Sequence, residues 1–277
     1  MVLEKIIAVI VLYKSTLEES STFQSLLRNV AVSSSNLTLV VYNNSPDYWT
    51  YDFNIYKGLN IININDDLNS GVSTAYNVGF KYAKLNNKEY IVLLDQDTEL
   101  PVSYFDSFFK IEQKYKAKNL GLFAPKIVNI NGLVSPAKFF LHTTKKIDEI
   151  LEGENPLEGL AVINSGLIIS KGLFELTGGY NDKIKLDFSD FYFLRKVLKF
   201  EKNIIIFNAE CKHSLSSEEN VSLKSALTRF DYYLEGAKYF RNSFSDVKGL
   251  SLWIVLRSIK LGLKYKTVKF TTKVLFS

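Results

Sequence analysis

The chain has 277 residues, 47% of them hydrophobic and 23% charged, so it can bury a sizeable core, which excludes an intrinsically disordered segment. Its single cysteine, Cys211, excludes an internal disulfide framework and a cysteine-built metal centre, leaving Asp, Glu and His as possible metal ligands. The net charge of +5 is unevenly placed: Arg257, Lys260, Lys264, Lys266, Lys269 and Lys273 follow one another with no acid between them, which asks for an anionic partner.

The stretch from Met1 to Tyr13 is apolar but carries Glu4 and Lys5 and lacks a small-residue cleavage site, so Ile6 to Leu12 reads as a buried strand rather than a signal peptide. No window reaches the roughly 18 uninterrupted apolar residues of a membrane span, and a cytoplasmic protein is expected. Leu17 to Val32 has helical spacing through Phe23, Leu26, Leu27 and Val30. Leu37 to Tyr42 and Leu59 to Ile64 read as strands, Val72 to Leu85 as a helix, and Tyr90 to Leu94 as another strand. A helix is expected near Pro101, where proline suits a first turn. Such alternation predicts an α/β fold with a mostly parallel sheet covered by helices.

After Leu120 the apolar pieces shorten. Leu160 to Ile169 reads as a strand interrupted at Asn164-Ser165-Gly166. Ser170 is a helix N-cap for Lys171 to Leu176, which Gly178-Gly179 terminates. Phe188 to Phe200 reads as a helix, Asn203 to Phe207 as a strand and Leu223 to Phe244 as a long helix. The simplest organisation is one catalytic domain with a helical C-terminal extension.

The richest chemistry lies at Tyr90-Ile91-Val92-Leu93-Leu94-Asp95-Gln96-Asp97, where a buried-strand run ends in two carboxylates one residue apart. Open α/β sheets place ligands beyond the carboxyl ends of their strands, and paired acids there invite a hard divalent cation bridging to substrate phosphates. Four polar loops follow strands in the first half: Tyr13-Lys14-Ser15, Tyr42-Asn43-Asn44-Ser45 (leading into Pro46-Asp47), Asn65 to Gly71, and Asp95-Gln96-Asp97. In a parallel sheet all four emerge on one edge, where together they can read a base, a ribose and a diphosphate. Each loop taken singly is equally an ordinary turn.

These landmarks resemble the inverting family-two nucleotide-sugar glycosyltransferases of the GT-A (Rossmann-like) fold, and especially their bacterial rhamnosyltransferase branch. The resemblance rests on Ile7 to Tyr13, Val40 to Ser45, Asn69-Ser70-Gly71 with Asn77-Val78-Gly79, Leu93 to Asp97, Asn164-Ser165-Gly166, Gly178 to Asp182, Leu186 to Asp190, and His213. It implies a catalytic domain over 1–220, with a nucleotide-binding half at 1–100 and an acceptor-side half at 101–220, followed by a helical extension at 221–277.

The same resemblance implies that a divalent metal, Mn²⁺ or Mg²⁺, is held by Asp97, His213 and Asp95, with Asp95 also serving the ribose or a metal-bound water. Tyr13, Asn43, Asn44, Asn69, Gly71 and Asn77 then line the donor site. Asp190 is the expected catalytic base, at a helix start whose dipole would keep it ionised. Asp187, Ser165, Gly166 and Tyr192 fall on the acceptor side. Two positions depart from the family pattern. Tyr42 stands where an Asp usually pairs with the pyrimidine N3 hydrogen, which shifts base recognition to Asn43 or Asn44. Tyr192 replaces an acid after the base, and Arg195 or Lys196 stands for an arginine one turn later.

The expected reaction moves a sugar, L-rhamnose from dTDP-rhamnose, to a lipid-linked or growing bacterial surface polysaccharide, with a polyprenyl-diphosphate-linked acceptor as one form. A UDP-hexose donor and a catalytically silent sugar-nucleotide or glycan-binding protein are the alternatives. Leu250, Trp253, Ile254, Leu256, Ile259, Leu261 and Leu263 lie beside the basic residues of the tail, so the extension suits either an anionic membrane surface or packing on the catalytic domain. No nucleic-acid-binding module is recognisable.

Overall fold

The computed structural model describes residues 3–45, 56–118, 120–140, 143–213, 221–245, 247 and 249–275. Pro46 and Asp47 of the second polar loop lie outside these residues. The first half runs β1 (Ile6–Leu12), α1 (Ser21–Ala31), β2 (Leu37–Asn43), β3 (Leu59–Asn65), α2 (Val72–Leu85), β4 (Tyr90–Asp95), β5 (Thr98–Glu99) and α3 (Tyr104–Tyr115). The second half adds strands β6 (Leu122–Asn129), β7 (Gly132–Ser135), β8 (Ala137–Phe140), β9 (Thr143–Lys145), β10 (Gly153–Pro156), β11 (Leu160–Ala161) and β12 (Leu167–Ser170). Helices α4 (Lys171–Thr177) and α5 (Ser189–Val197) follow, then strand β13 (Asn203–His213) and helices α6 (Leu223–Ser243), α7 (Leu250–Tyr265) and α8 (Lys269–Leu275).

The main sheet runs β10-β13-β6-β12-β4-β1-β2-β3. β4, β1, β2 and β3 are mutually parallel, β13 is parallel to β6, and β12 runs antiparallel between β6 and β4. A mostly parallel α/β sheet with helices on both faces is therefore what the alternation predicted. Every residue of β1 is buried. Ile6, Ala8, Ile10 and Leu12 point into the layer of α1 and α3, and Ile7, Val9 and Val11 into the layer of α2, α4 and α5. Burial on both faces is why the strand reads as an unbroken apolar run.

Several boundaries differ from those expected. α1 begins at Ser21 rather than Leu17, because the Ser20 hydroxyl accepts from the Phe23 amide at 3.1 Å and caps it. The helix expected at Pro101 starts at Tyr104. The strand expected over 160–169 is two strands, with β11 in a separate three-stranded sheet beside β8 and β12 in the main sheet. β13 continues six residues past Phe207, alternating exposed Asn208, Glu210 and Lys212 with buried Ala209 and Cys211.

Helices α6, α7 and α8 build a third core, in which Phe230, Ala237, Phe240, Leu250 and Phe270 pack on Ile184 and Phe188. Among the described residues, no helix is long and apolar enough to cross a membrane.

Candidate functional site: an acid edge closed by His213

β4 ends at Asp95, and the chain turns through Gln96 and Asp97 into the short β5, which pairs antiparallel with the end of β13 so that Thr98 faces His213. That register brings a residue more than a hundred positions away onto the acidic edge. One ligand atom each from Asp95, Asp97 and His213 lies within 4.8 Å of the others. The His213 Nδ1 stands 3.5 Å from Asp97 Oδ1 and 2.8 Å from the Thr98 hydroxyl. The Thr98 hydroxyl in turn meets the Ser165 hydroxyl at 2.5 Å, and Ser165 Oγ accepts from the Asp95 amide at 3.3 Å. Two carboxylates and an imidazole suit a cation of the Mg²⁺ or Mn²⁺ kind, the imidazole favouring the latter.

Asp95 is further held by Tyr76 of α2, whose hydroxyl donates to Oδ1 at 3.1 Å. Burial raises the Asp95 carboxyl pKa, while the nearby His213 and the Tyr76 hydroxyl pull it back. Asp190 sits in the first turn of α5 and accepts from the Phe191 amide at 2.8 Å. Its position does not keep it strongly acidic, as a helix start alone would. Burial pushes its pKa up to about 7, helped by the charges of Asp187 and Asp95. The preceding Phe188 adopts a left-handed backbone, φ 74°. Its ring is clamped against Tyr233 and Phe240 of α6, so strain beside Asp190 is held by packing.

The four polar loops do share one sheet edge. Tyr13 is 43% exposed there, its amide donating to Gln96 Oε1 at 2.7 Å. Other residues expected on the donor side are spent on bracing. Asn43 is fully buried and donates to Asn65 Oδ1 at 3.2 Å, while Asn44 Oδ1 receives the Gly71 amide at 3.2 Å. Tyr42 donates instead to Asp66 Oδ2 at 2.9 Å, and that oxygen also receives the Ser70 amide at 2.7 Å. Asn77 ties α2 to the Gly179–Asp182 loop through Tyr180 and Asp182. Gly71, at φ 96°, lets the loop pass Lys185, whose carbonyl oxygen would stand 2.3 Å from an added Cβ.

Among the residues expected on the acceptor side, Gly166 accepts from the Tyr104 hydroxyl at 2.6 Å through its carbonyl, which fixes the turn that presents Ser165. Tyr192 turns away from Asp190 and packs on Phe244, its hydroxyl 3.2 Å from that of Ser243. Asp187 meets Arg229 and Arg257 at 3.9 and 3.6 Å. Lys196 donates to the Gly179 carbonyl and Arg195 lies over the Phe244 ring. Sequence reasoning gave no role to Tyr76, Thr98 or Tyr232, and named Gln96 only as part of its loop. Tyr232 reaches from α6 to the Asn65–Gly71 loop, where its hydroxyl receives Asn69 Nδ2 at 3.3 Å.

A parallel strand edge bearing Asp95 and Asp97, closed by a returning histidine and within reach of the charge of the buried Asp190, is the arrangement that the resemblance to the GT-A enzymes implies. The curated relatives include the dTDP-rhamnosyl transferase RfbF of Shigella flexneri, 26% identical over 224 residues that cover 74% of this chain and 70% of RfbF. Staphylococcus aureus TarS residues 1–349 share the fold with a TM-score of 0.59 at 14% identity, over 94% of this chain and 78% of that one. The same segment bound to UDP-GlcNAc superposes with a TM-score of 0.57 at 15% identity, over 91% of this chain and 77% of that one. No protein-family model matches the chain. The relative and the shared fold agree with the motifs: the chain has the fold of TarS and is similar in sequence to a dTDP-rhamnosyl transferase.

Proposed function

We propose that this protein is a metal-dependent, inverting glycosyltransferase that moves L-rhamnose from dTDP-rhamnose to a saccharide acceptor at an anionic membrane surface. The observation that carries the reading is the convergence of Asp95, Asp97 and His213 on the edge where β1, β2, β3 and β4 end, with Asp190 beside them. A divalent cation there would neutralise charge developing on a departing nucleoside diphosphate. Asp97, His213 and Asp95 would hold it, with Tyr76 fixing the Asp95 carboxylate and Thr98, itself met by Ser165, fixing the His213 ring. Asp190, whose pKa lies near 7, has the affinity for a proton that a general base for an acceptor hydroxyl needs at neutral pH. The rhamnose assignment follows RfbF. A UDP-sugar donor is the second reading, favoured by the UDP-GlcNAc complex of TarS.

The membrane assignment comes from α7. Leu252, Leu256, Ile259 and Leu263 repeat at helical spacing and are 61%, 45%, 45% and 75% exposed, and the acid-free cations of the tail flank them. An apolar strip bordered by lysines suits an anionic bilayer surface.

Nucleotide release from a panel of dTDP- and UDP-sugars, with and without Mn²⁺ or Mg²⁺, tests the reaction. One donor is expected to turn over in wild type only with metal, and Asp97→Asn is expected to abolish that turnover. Saturable donor binding without release, even with membrane lipid extract as acceptor, would instead mark a silent sugar-nucleotide-binding protein.

A further inference from the structure

Beneath the acidic turn lies a buried row of hydroxyls. Thr98 is fully buried and Ser165 only 1% exposed, so neither hydroxyl can turn to bulk water. Thr22 locks the backbone on both sides of the turn: its hydroxyl donates to the Asp95 carbonyl at 2.5 Å and accepts from the Thr98 amide at 2.7 Å. The Ser20 hydroxyl donates to the Gln96 carbonyl at 2.7 Å. With the turn fixed in this way, the Thr98 hydroxyl has two partners among the described residues, Ser165 Oγ at 2.5 Å and His213 Nδ1 at 2.8 Å.

Each hydroxyl owns one hydrogen, and counting these gives the row a direction. Ser165 Oγ accepts from the Asp95 amide at 3.3 Å, and its own hydrogen is directed to Thr98 Oγ1. Thr98 then passes its hydrogen to Nδ1. Any order in which Nδ1 donates instead leaves one of the two hydroxyl hydrogens buried without an acceptor, which is costly. In the neutral ring, then, Nδ1 is bare and Nε2 keeps the hydrogen. Nδ1 is also the nitrogen on the acid side, 3.5 Å from Asp97 Oδ1. Its lone pair, the one that a cation between Asp97 and His213 must take, is already engaged by Thr98. We infer that the Thr98 hydroxyl, aligned by Ser165, competes with a divalent cation for His213 Nδ1 and so holds down the cation affinity of the empty site. This rests on the metal-dependent reading above. The consequence is a site that takes its cation weakly by itself and keeps it when diphosphate oxygens join the ligand set. A residue that only positions the ring predicts the opposite, because losing an outer-shell partner weakens metal binding by about 10–100-fold.

Two measurements test this. The chain has two histidines, so the long-range ¹H–¹⁵N spectrum of the metal-free full chain, assigned with His142→Gln, reads the His213 ring directly. At about pH 8, where a free imidazole is neutral, the expected pattern is a bare Nδ1 and a protonated Nε2. A protonated Nδ1 overturns the proposal with no substitution in the row. Mn²⁺ is then titrated into the nucleotide-free protein while the free ion is followed by electron paramagnetic resonance. Thr98→Val keeps the shape and removes the hydroxyl, and it should bind Mn²⁺ about tenfold tighter than wild type. Thr98→Ser keeps the hydroxyl and should stay within about twofold of wild type. Weaker or unchanged Mn²⁺ binding in Thr98→Val overturns the competition. Thr98→Ala repeats the removal if the valine variant loses its native circular dichroism. Mn²⁺ binding by none of these proteins, even with UDP added, would instead sink the metal reading on which the proposal stands.

Discussion

The packing of α6 against the segment that leads to Asp190, the proposed base, yields the sharpest prediction. A Cβ on Gly236 would stand 2.3 Å from the Asp187 carbonyl oxygen and 3.3 Å from the Phe188 ring. A carbon rests at about 3.3 Å from a carbonyl oxygen, so in Gly236→Ala either the helix or the 187–188 backbone must retreat by about 1 Å. Overpacking of this kind costs about 1–3 kcal/mol, and alanine returns about 1 kcal/mol of helix propensity, leaving a net loss of about 0–2 kcal/mol. The kinetic effect should be larger. Asp190 lies three residues beyond the displaced carbonyl, and misplacing a reacting group by about 1 Å costs on the order of a hundredfold in rate. The expected signature is therefore a collapse of kcat in a protein that still melts cooperatively, read by donor turnover and denaturant titration. Gly172→Ala is the control, because nothing lies within 4 Å of its added Cβ, and it should keep full turnover. A Gly236→Ala protein with wild-type turnover would refute both the close approach and the placement of the base.

The pKa of Asp190, pushed to about 7 by burial and by its acidic neighbours, makes activity rise with pH through that value as the base loses its proton; a kcat/KM profile of Asp190→Asn should lack this limb and keep only a flat residue of activity. Glu201 is likewise pushed up to about 7 by burial, although it accepts from the Gly121 amide at 3.0 Å. Because its folded value lies above its unfolded value, its favourable contribution is complete below about pH 4.5 and is lost as pH rises through about 7, a change of about 3 kcal/mol at most. Urea titrations of Glu201→Gln should lack that loss, and an identical pH dependence in both proteins would show that Glu201 is not the source. Removing residues 250–277 should abolish co-sedimentation with anionic liposomes; unchanged binding would reject the tail as the anchor.

The strands β1, β2 and β4 were legible because burial on both faces leaves few polar residues to confuse the run, and the acids at the end of β4 stood out against it; the edge strand β3, only part-buried, was read from its isoleucines between asparagines. The second half of β13 was not, since only one of its faces is buried there and its apolar residues alternate with Asn208, Glu210 and Lys212. The three acids and His213 could be named from the motifs. What the motifs could not show is how they are held: Tyr76 is one aromatic among many on α2, and Thr98 becomes significant only through its register with His213. Asn43, Asn44 and Asn77 are the converse case, residues of the right chemistry whose amides are consumed in joining loops. The ionisation of Asp190 needed the structure as well, because a helix dipole is visible in sequence and desolvation is not.

The pairing of β5 with β13 makes the acidic edge a clasp as well as a site. Thr98 and His213 are separated by 115 positions, and a cation shared by Asp95, Asp97 and His213 would cross-link that span much as a disulfide would. The entropy of closing a loop grows only with the logarithm of its length, so long spans give a cross-link most of its effect on the unfolded chain. A protein with a single, buried cysteine thus has the geometry for a reversible staple in which the tie is an ion. Asp95, Asp97 and His213 would hold that ion, and its binding would tie the end of β13 to the end of β4.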